Sequence, residues 1–194
     1  AAYCGIFDGA GHTVTFNGLK QAMLYAIGQD GIVKNITVDG TVSSVKSESG
    51  EGTNETELMA ASIAISNAGQ ILNCINKADI SGVKAAGITA YNDGNLFNCI
   101  NKGDITGSMS AAAITGQNKE MVMSAANEGK ITDNSGNTSR DIMTGDGYSG
   151  TYAKDFSAVT DFSKWTGFAS TVNAIAEDIE IMNNEAKKPI NVLR

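Results

Sequence analysis

The chain has 194 residues, a formal net charge of −7, 22 Gly, 1 Pro and 6% aromatics. The acidic balance excludes a nucleic-acid groove, which needs a basic face, and offers no polybasic patch to anionic lipid. No apolar run reaches the roughly 18 residues that a membrane-spanning helix needs. Many glycines for tight turns and almost no proline to interrupt strand pairing favour an all-β chain with a core of Ile, Val, Leu, Ala and Met.

The chain begins at Ala1 with neither Met nor a basic and apolar leader, so a processed start within a longer polypeptide is expected. Asp8 to Gly11 reads as a turn. Val14 and Phe16 then alternate with Thr13 and Thr15, a strand pattern that Asn17-Gly18 is expected to close. Residues 22–27 and 32–38 read as two more strands, followed by a turn at Asp39-Gly40. Residues 43–57, rich in Ser, Gly and Glu, read as an exposed, mobile loop excursion.

The most informative stretch is residues 60–132, where one phrase recurs. Residues 67–82 (NAGQILNCINKADISG) and 92–107 (NDGNLFNCINKGDITG) are near copies, and 118–132 is a worn third. Each follows an Ala-rich line ending in Ile63, Ile88 or Ile114. A unit this short cannot bury its own apolar face, so copies stack. Three apolar columns result: Ile63, Ile88 and Ile114; Val33, Ile71, Leu96 and Val122; Val42, Ile80, Ile105 and Ile131. Three columns predict an all-β solenoid with three strand faces around one narrow core, about five short coils long, with residues 5–42 as divergent early coils.

Five asparagines fall in register, Asn73 with Asn98 and Asn76 with Asn101 and Asn127, and read as structural turn columns hydrogen-bonded between coils. Cys74 and Cys99 occupy equivalent places, with strands of adjacent coils about 4.8 Å apart. That spacing permits a disulfide, but two reduced thiols packed as small hydrophobes in one column are the favoured reading. Cys4 has no equivalent in the repeats.

After Thr132 the repeat fails. Ile142-Met143 reads as a last short strand, and residues 145–150 as a turn-rich bridge closing a first region, 1–150. In the C-terminal region, 151–194, Val172, Ile175, Ile179 and Met182 recur at helical spacing. They predict an amphipathic helix over about 171–186, capped by Ser170 or Thr171 and stopped by Pro189, covering the open end of the coils with Trp165 and Phe168 as anchors.

Catalytic signatures are sparse. His12 is the sole histidine, so neither a His-based triad nor a His-rich metal site can be assembled. Asp79 and Asp104 would stack one coil apart and could furnish a carboxylate pair, but they recur within a turn whose next copy carries Lys130. The two arginines, Arg140 and Arg194, lie outside the repeats. Asp133, Asp141 and Asp146 lie in Gly/Asn-rich loops and are the candidate calcium ligands; apart from them no cofactor is expected. An ice-binding array would need outward threonines in every coil, and Thr13, Thr15, Thr37 and Thr41 do not continue.

The opening residues 5–14, GIFDGAGHTV, resemble the FDGxGHTI start of right-handed parallel β-helix regions in bacterial surface proteins. Residues 85–107, AAGITAYNDGNLFNCINKGDITG, resemble the GLUG-type repeat found there, and the likeness spans residues 5–132. The resemblance implies a right-handed, pectin-lyase-like parallel β-helix, an extracellular or bacterial cell-surface location, and further coils ahead of residue 5. As function it implies a non-enzymatic, adhesin-like binding surface or stalk, with a glycan or a host or bacterial surface protein as partner. A carbohydrate-active β-helix, polysaccharide lyase or glycoside hydrolase, is the alternative.

Overall fold

A computed structural model of the chain describes residues 1–48, 52–147 and the backbone of 151–153. It is a parallel β-solenoid of about 5 turns, nearly all strand. The first sheet stacks Ile6–Asp8, Ile32–Lys34, Gln70–Leu72, Asn95–Phe97, Met121–Met123 and Thr151–Ala153. The second stacks Leu24–Ile27, Ala64–Asn67, Thr89–Asn92, Thr115–Asn118 and Asp146–Gly147. The third holds Thr13–Lys20, Thr37–Ser43 and Met59–Ala61, then the long strands Asp79–Ala86 and Ile105–Ala112, the short Ile75–Asn76, Ile100–Asn101 and Ala126–Asn127, and Ile131–Asp133. Every pairing between these strands is parallel, because each coil returns to the same sheet in the same direction.

The expected columns form the core. Val33, Ile71, Leu96 and Val122 are consecutive partners in the first sheet, and Val42, Ile80, Ile105 and Ile131 in the third. Ile63, Ile88 and Ile114 hand backbone N–H groups to the next coil's carbonyls at the corner between third and second sheets. All three are fully buried. Asn35, Asn73 and Asn98 turn the chain from the first sheet toward the third at φ of 56°, 55° and 51°. Asparagine is the commonest non-glycine residue to hold that left-handed conformation. Ser124 holds the same corner in the worn copy at φ 53°.

Two expected turns are kinks within strands. The strand from Thr13 does not close at Asn17-Gly18. It continues to Lys20 through a bulge, with Gly18 at φ +81°. Asp39-Gly40 likewise lies inside Thr37–Ser43. Gly40 has φ +96°, and a Cβ there would sit 1.9 Å from the Phe16 carbonyl oxygen, so the neighbouring coil passes where any side chain would be. In both places the paired coil supplies ladder bonds that turn residues alone do not announce.

The 43–57 excursion is anchored rather than free at its stem. Ser43 ends a strand, the Lys46 N–H donates to the Glu57 carbonyl at 2.9 Å, and Glu55–Leu58 forms a 3-10 turn. Gln21 donates to the Thr56 carbonyl at 2.7 Å. The returning arm packs beside an outer apolar cluster of Met59, Ile65 and Ala90, with Ala22 and Tyr91 at its margin. Ile142 and Met143 form no strand, but their carbonyls accept from Ala113 and Ile114, so they do close the corner column. The strand that follows them in the second sheet is Asp146–Gly147. The expected helix over 171–186, its caps and its anchors lie outside the described residues.

Because each core column passes through every coil, one truncation should weaken the whole stack. Ile88→Ala, with the wild-type side chain at 0% exposure between Ile63 and Ile114, is expected to cost about 3 kcal/mol. Urea unfolding should show the midpoint falling at an unchanged slope.

Candidate functional site: the outward trough of the third sheet

In the third sheet Ile80 and Ile105 point inward, so their neighbours Asp79, Ser81, Asp104 and Thr106 point out. Register then aligns them. Lys20, Ser43, Ser81, Thr106 and Thr132 are successive partners along the stack, giving a column of hydroxyls headed by an ammonium. Thr41 pairs with Asp79, and Asp104 follows one coil on, giving a second column beside the first. Between them runs an open trough of about 430 Å³, lined also by Gly18, Val42 and Ile80. That is the size of a small-molecule cleft. A second hollow, over Ala86, Ala90 and Gly116, holds only about 10 Å³, room for about one water.

The two aspartates have a structural task as well. Asp79 Oδ1 accepts the Asp104 N–H at 3.1 Å, and Asp104 Oδ1 accepts the Lys130 N–H at 3.0 Å. One carboxylate oxygen of each therefore ties its coil to the next. At the head of the trough the Gly18 N–H donates to Thr41 Oγ1 at 2.9 Å and Lys20 Nζ donates to Ser43 Oγ at 2.8 Å.

The asparagines singled out by the repeat lie inside the stack, away from the trough. Asn76 donates to Asn101 Oδ1 at 2.7 Å and Asn101 to Asn127 Oδ1 at 2.8 Å, and all three also donate to the carbonyl two residues on, at 2.9 Å. In the other column Asn98 donates to Asn73, Asn73 to Asn35 at 3.2 Å, and Asn35 to Asp8 Oδ1 at 3.1 Å. Burial raises the Asp8 carboxyl, but the Ala10 N–H, the Asn35 amide and the Lys34 ammonium together hold it below the usual carboxylate range. A third ladder, beyond the two expected, runs from Asn67 to Asn92 and from Asn92 to Asn118, each 2.8 Å. Its signal was the same 25- and 26-residue spacing. Among the described residues no buried side-chain nitrogen or oxygen lacks a partner.

Cys74 and Cys99 are free thiols at 0% exposure in the core, with Sγ 3.3 Å and 3.5 Å from the Leu72 and Phe97 carbonyls; Cys4 is exposed. Burial pushes the Cys74 thiol well up and the Cys99 thiol up to about 12. His12 sits in the opening turn, its N–H on the Gly9 carbonyl at 2.8 Å.

Two of the three calcium candidates, Asp133 and Asp146, flank a cation that the chain supplies itself. Arg140 Nη1 lies 3.2 Å from Asp133 Oδ2 and its Nε 2.6 Å from Asp146 Oδ1, and Nη1 also donates to Ser135 Oγ at 2.8 Å. Burial raises the Asp133 carboxyl, and Ser135 with Arg140 outweighs it and lowers it. Asp141 Oδ1 instead accepts the Met143 and Thr144 N–H groups at 2.8 and 2.9 Å. Among the described residues no three His, Cys, Asp or Glu side chains are grouped to hold a metal ion.

No family model, no curated protein and no solved structure matches the chain.

Asn101→Ala would leave the Asn76 amide and Asn127 oxygen without their ladder partner, and is expected to cost about 3 kcal/mol. Asp104→Asn, which keeps an acceptor for the Lys130 N–H, should cost under about 1 kcal/mol; chemical denaturation separates the two. The thiols give a pH test. Unfolded thiols ionise near about 8.5, whereas the folded Cys99 keeps its proton to about 12. The thiols' contribution to stability should be flat below about pH 8 and fall as pH rises through that window, because the unfolded chain then binds fewer protons. Cys74→Ala with Cys99→Ala should flatten the slope, and thiol labelling of the native protein should modify Cys4 alone.

Proposed function

We propose that this chain is a non-enzymatic solenoid segment of a bacterial secreted or cell-surface protein that displays the third-sheet trough as a glycan-binding surface. The observation that carries the proposal is the trough itself, about 430 Å³ and lined by hydroxyls and carboxylates on a rigid parallel sheet. Sugars are recognised through many hydroxyl hydrogen bonds, and Ser and Thr serve as both donor and acceptor. Sites on strands hold such groups in more constant geometry than sites on loops. The GLUG-type likeness of residues 5–132 supports the surface setting and the right-handed, pectin-lyase-like coil.

The alternative is a carbohydrate-active β-helix. One observation favours it: Asp79 and Asp104 line the same trough from adjacent coils. Against it, each already gives Oδ1 to the next coil's backbone. A hydrolase must free one carboxyl for proton transfer and place the other at the anomeric carbon.

A glycan array, followed by a reducing-end assay on every glycan retained, tests both. Retention without turnover is expected, abolished by Ser81→Arg, which fills the trough from an outward position. Turnover would make the chain an enzyme, and an array that retains nothing would end the binding reading.

A further inference from the structure

Resting on that glycan reading, the geometry points to a narrower ligand: a linear, amine-bearing glycan lying along the solenoid axis, one sugar per coil, its ammonium groups on Asp79 and Asp104. The lining groups do not converge on a point as they do around a compact ligand. They repeat. Ser43, Ser81 and Thr106 are successive register partners, and Thr41, Asp79 and Asp104 run parallel to them. Adjacent strands lie about 4.7–4.9 Å apart, so the same contact recurs at a constant step along a straight line perpendicular to the strands. A chain of identical units meets such a surface at every step.

The charge pattern selects the kind of unit. Among the described residues, those lining the trough include two carboxylates and no cation, on a chain of net charge −7. With Oδ1 of each aspartate on the next coil's backbone, Oδ2 is the acceptor left for a ligand. A carboxylate oxygen only accepts, and binds a charged donor more strongly than a hydroxyl. Uronates and sulfated sugars would meet like charge.

Two lysines bound the window. Lys20 closes its head through Ser43, and Lys130 succeeds Asp104 at its tail, since Ile105 pairs with Ile131. The acid column is thus limited to two steps between Thr41 and Lys130.

The test is calorimetric titration with oligomers of glucosamine, N-acetylglucosamine and galacturonic acid, two to six units long. Glucosamine oligomers should bind roughly tenfold tighter than acetylated ones of equal length, and galacturonate oligomers should not bind. Affinity should climb to three or four units and then level. Raising salt from about 50 mM to about 500 mM should weaken only the glucosamine series. Asp79→Asn and Asp104→Asn keep the Oδ1 acceptor for the coil above, so thermal unfolding should shift by no more than about 4 °C. Each should lower glucosamine affinity roughly tenfold and leave acetylated binding as it was. Equal affinity for the two series, binding indifferent to length, or amine preference that survives the double variant would overturn the inference while leaving a glycan-binding surface. Silence from every oligomer would overturn the inference, and only an array that also retains nothing would overturn the glycan reading with it.

Discussion

A buried primary amide in this stack has few ways to satisfy its hydrogen bonds, and one is the same amide a coil away. An unmet buried amide costs on the order of 1–3 kcal/mol. Asn67, Asn92 and Asn118 form one such line, Asn76, Asn101 and Asn127 a second, and Asn35, Asn73 and Asn98 a third. A slip of one residue in any coil would break its rungs in all three and turn its isoleucines outward. The ladders therefore set register, and the apolar columns supply most of the stabilisation once register is set. Where the early coils lack an asparagine, the lines end on Ile27 and Val38 in the apolar core, or on the Asp8 carboxylate.

Register fixed from inside has a consequence outside. Outward residues inherit the same step whatever their chemistry, so hydroxyls in four successive coils line up although Ser43, Ser81, Thr106 and Thr132 do no work in the core. The aspartates beside them belong to both worlds, each with Oδ1 on the backbone of the next coil and each lining the trough. An outward surface of this kind needs no separate scaffold, because the sheet that positions it is the wall of the core.

Departures from the repeat also have physical purposes. The excursion after Ser43 returns as the Glu55–Leu58 turn beside Met59, Ile65 and Ala90, apolar groups that face away from the main core. Lys84 bonds Glu55 there and, with Tyr91, holds its carboxyl below the ordinary range. Past the last clear copy, Arg140 gathers Asp133, Ser135, Asp146 and the Met109 carbonyl, stitching an irregular loop to two sheets. Asp133 and Asp146, which read in one dimension as metal-binding loop acids, are in three the counter-ions of a guanidinium.

The sequence by itself determined the solenoid, its three core columns and the asparagine corners, because identical residues at constant spacing admit one economical stacking. It also marked residues 67, 92 and 118, although their ladder was legible only as a recurring first letter. The tertiary structure alone decided what depends on the neighbouring coil: that Asn17-Gly18 and Asp39-Gly40 are kinks in continuous strands, that Arg140 lies between Asp133 and Asp146, and that Ser43, Ser81, Thr106, Asp79 and Asp104 share one trough. Local turn residues describe how a chain can bend. Whether it bends there is settled by the hydrogen bonds and charges of a strand that lies a full coil away.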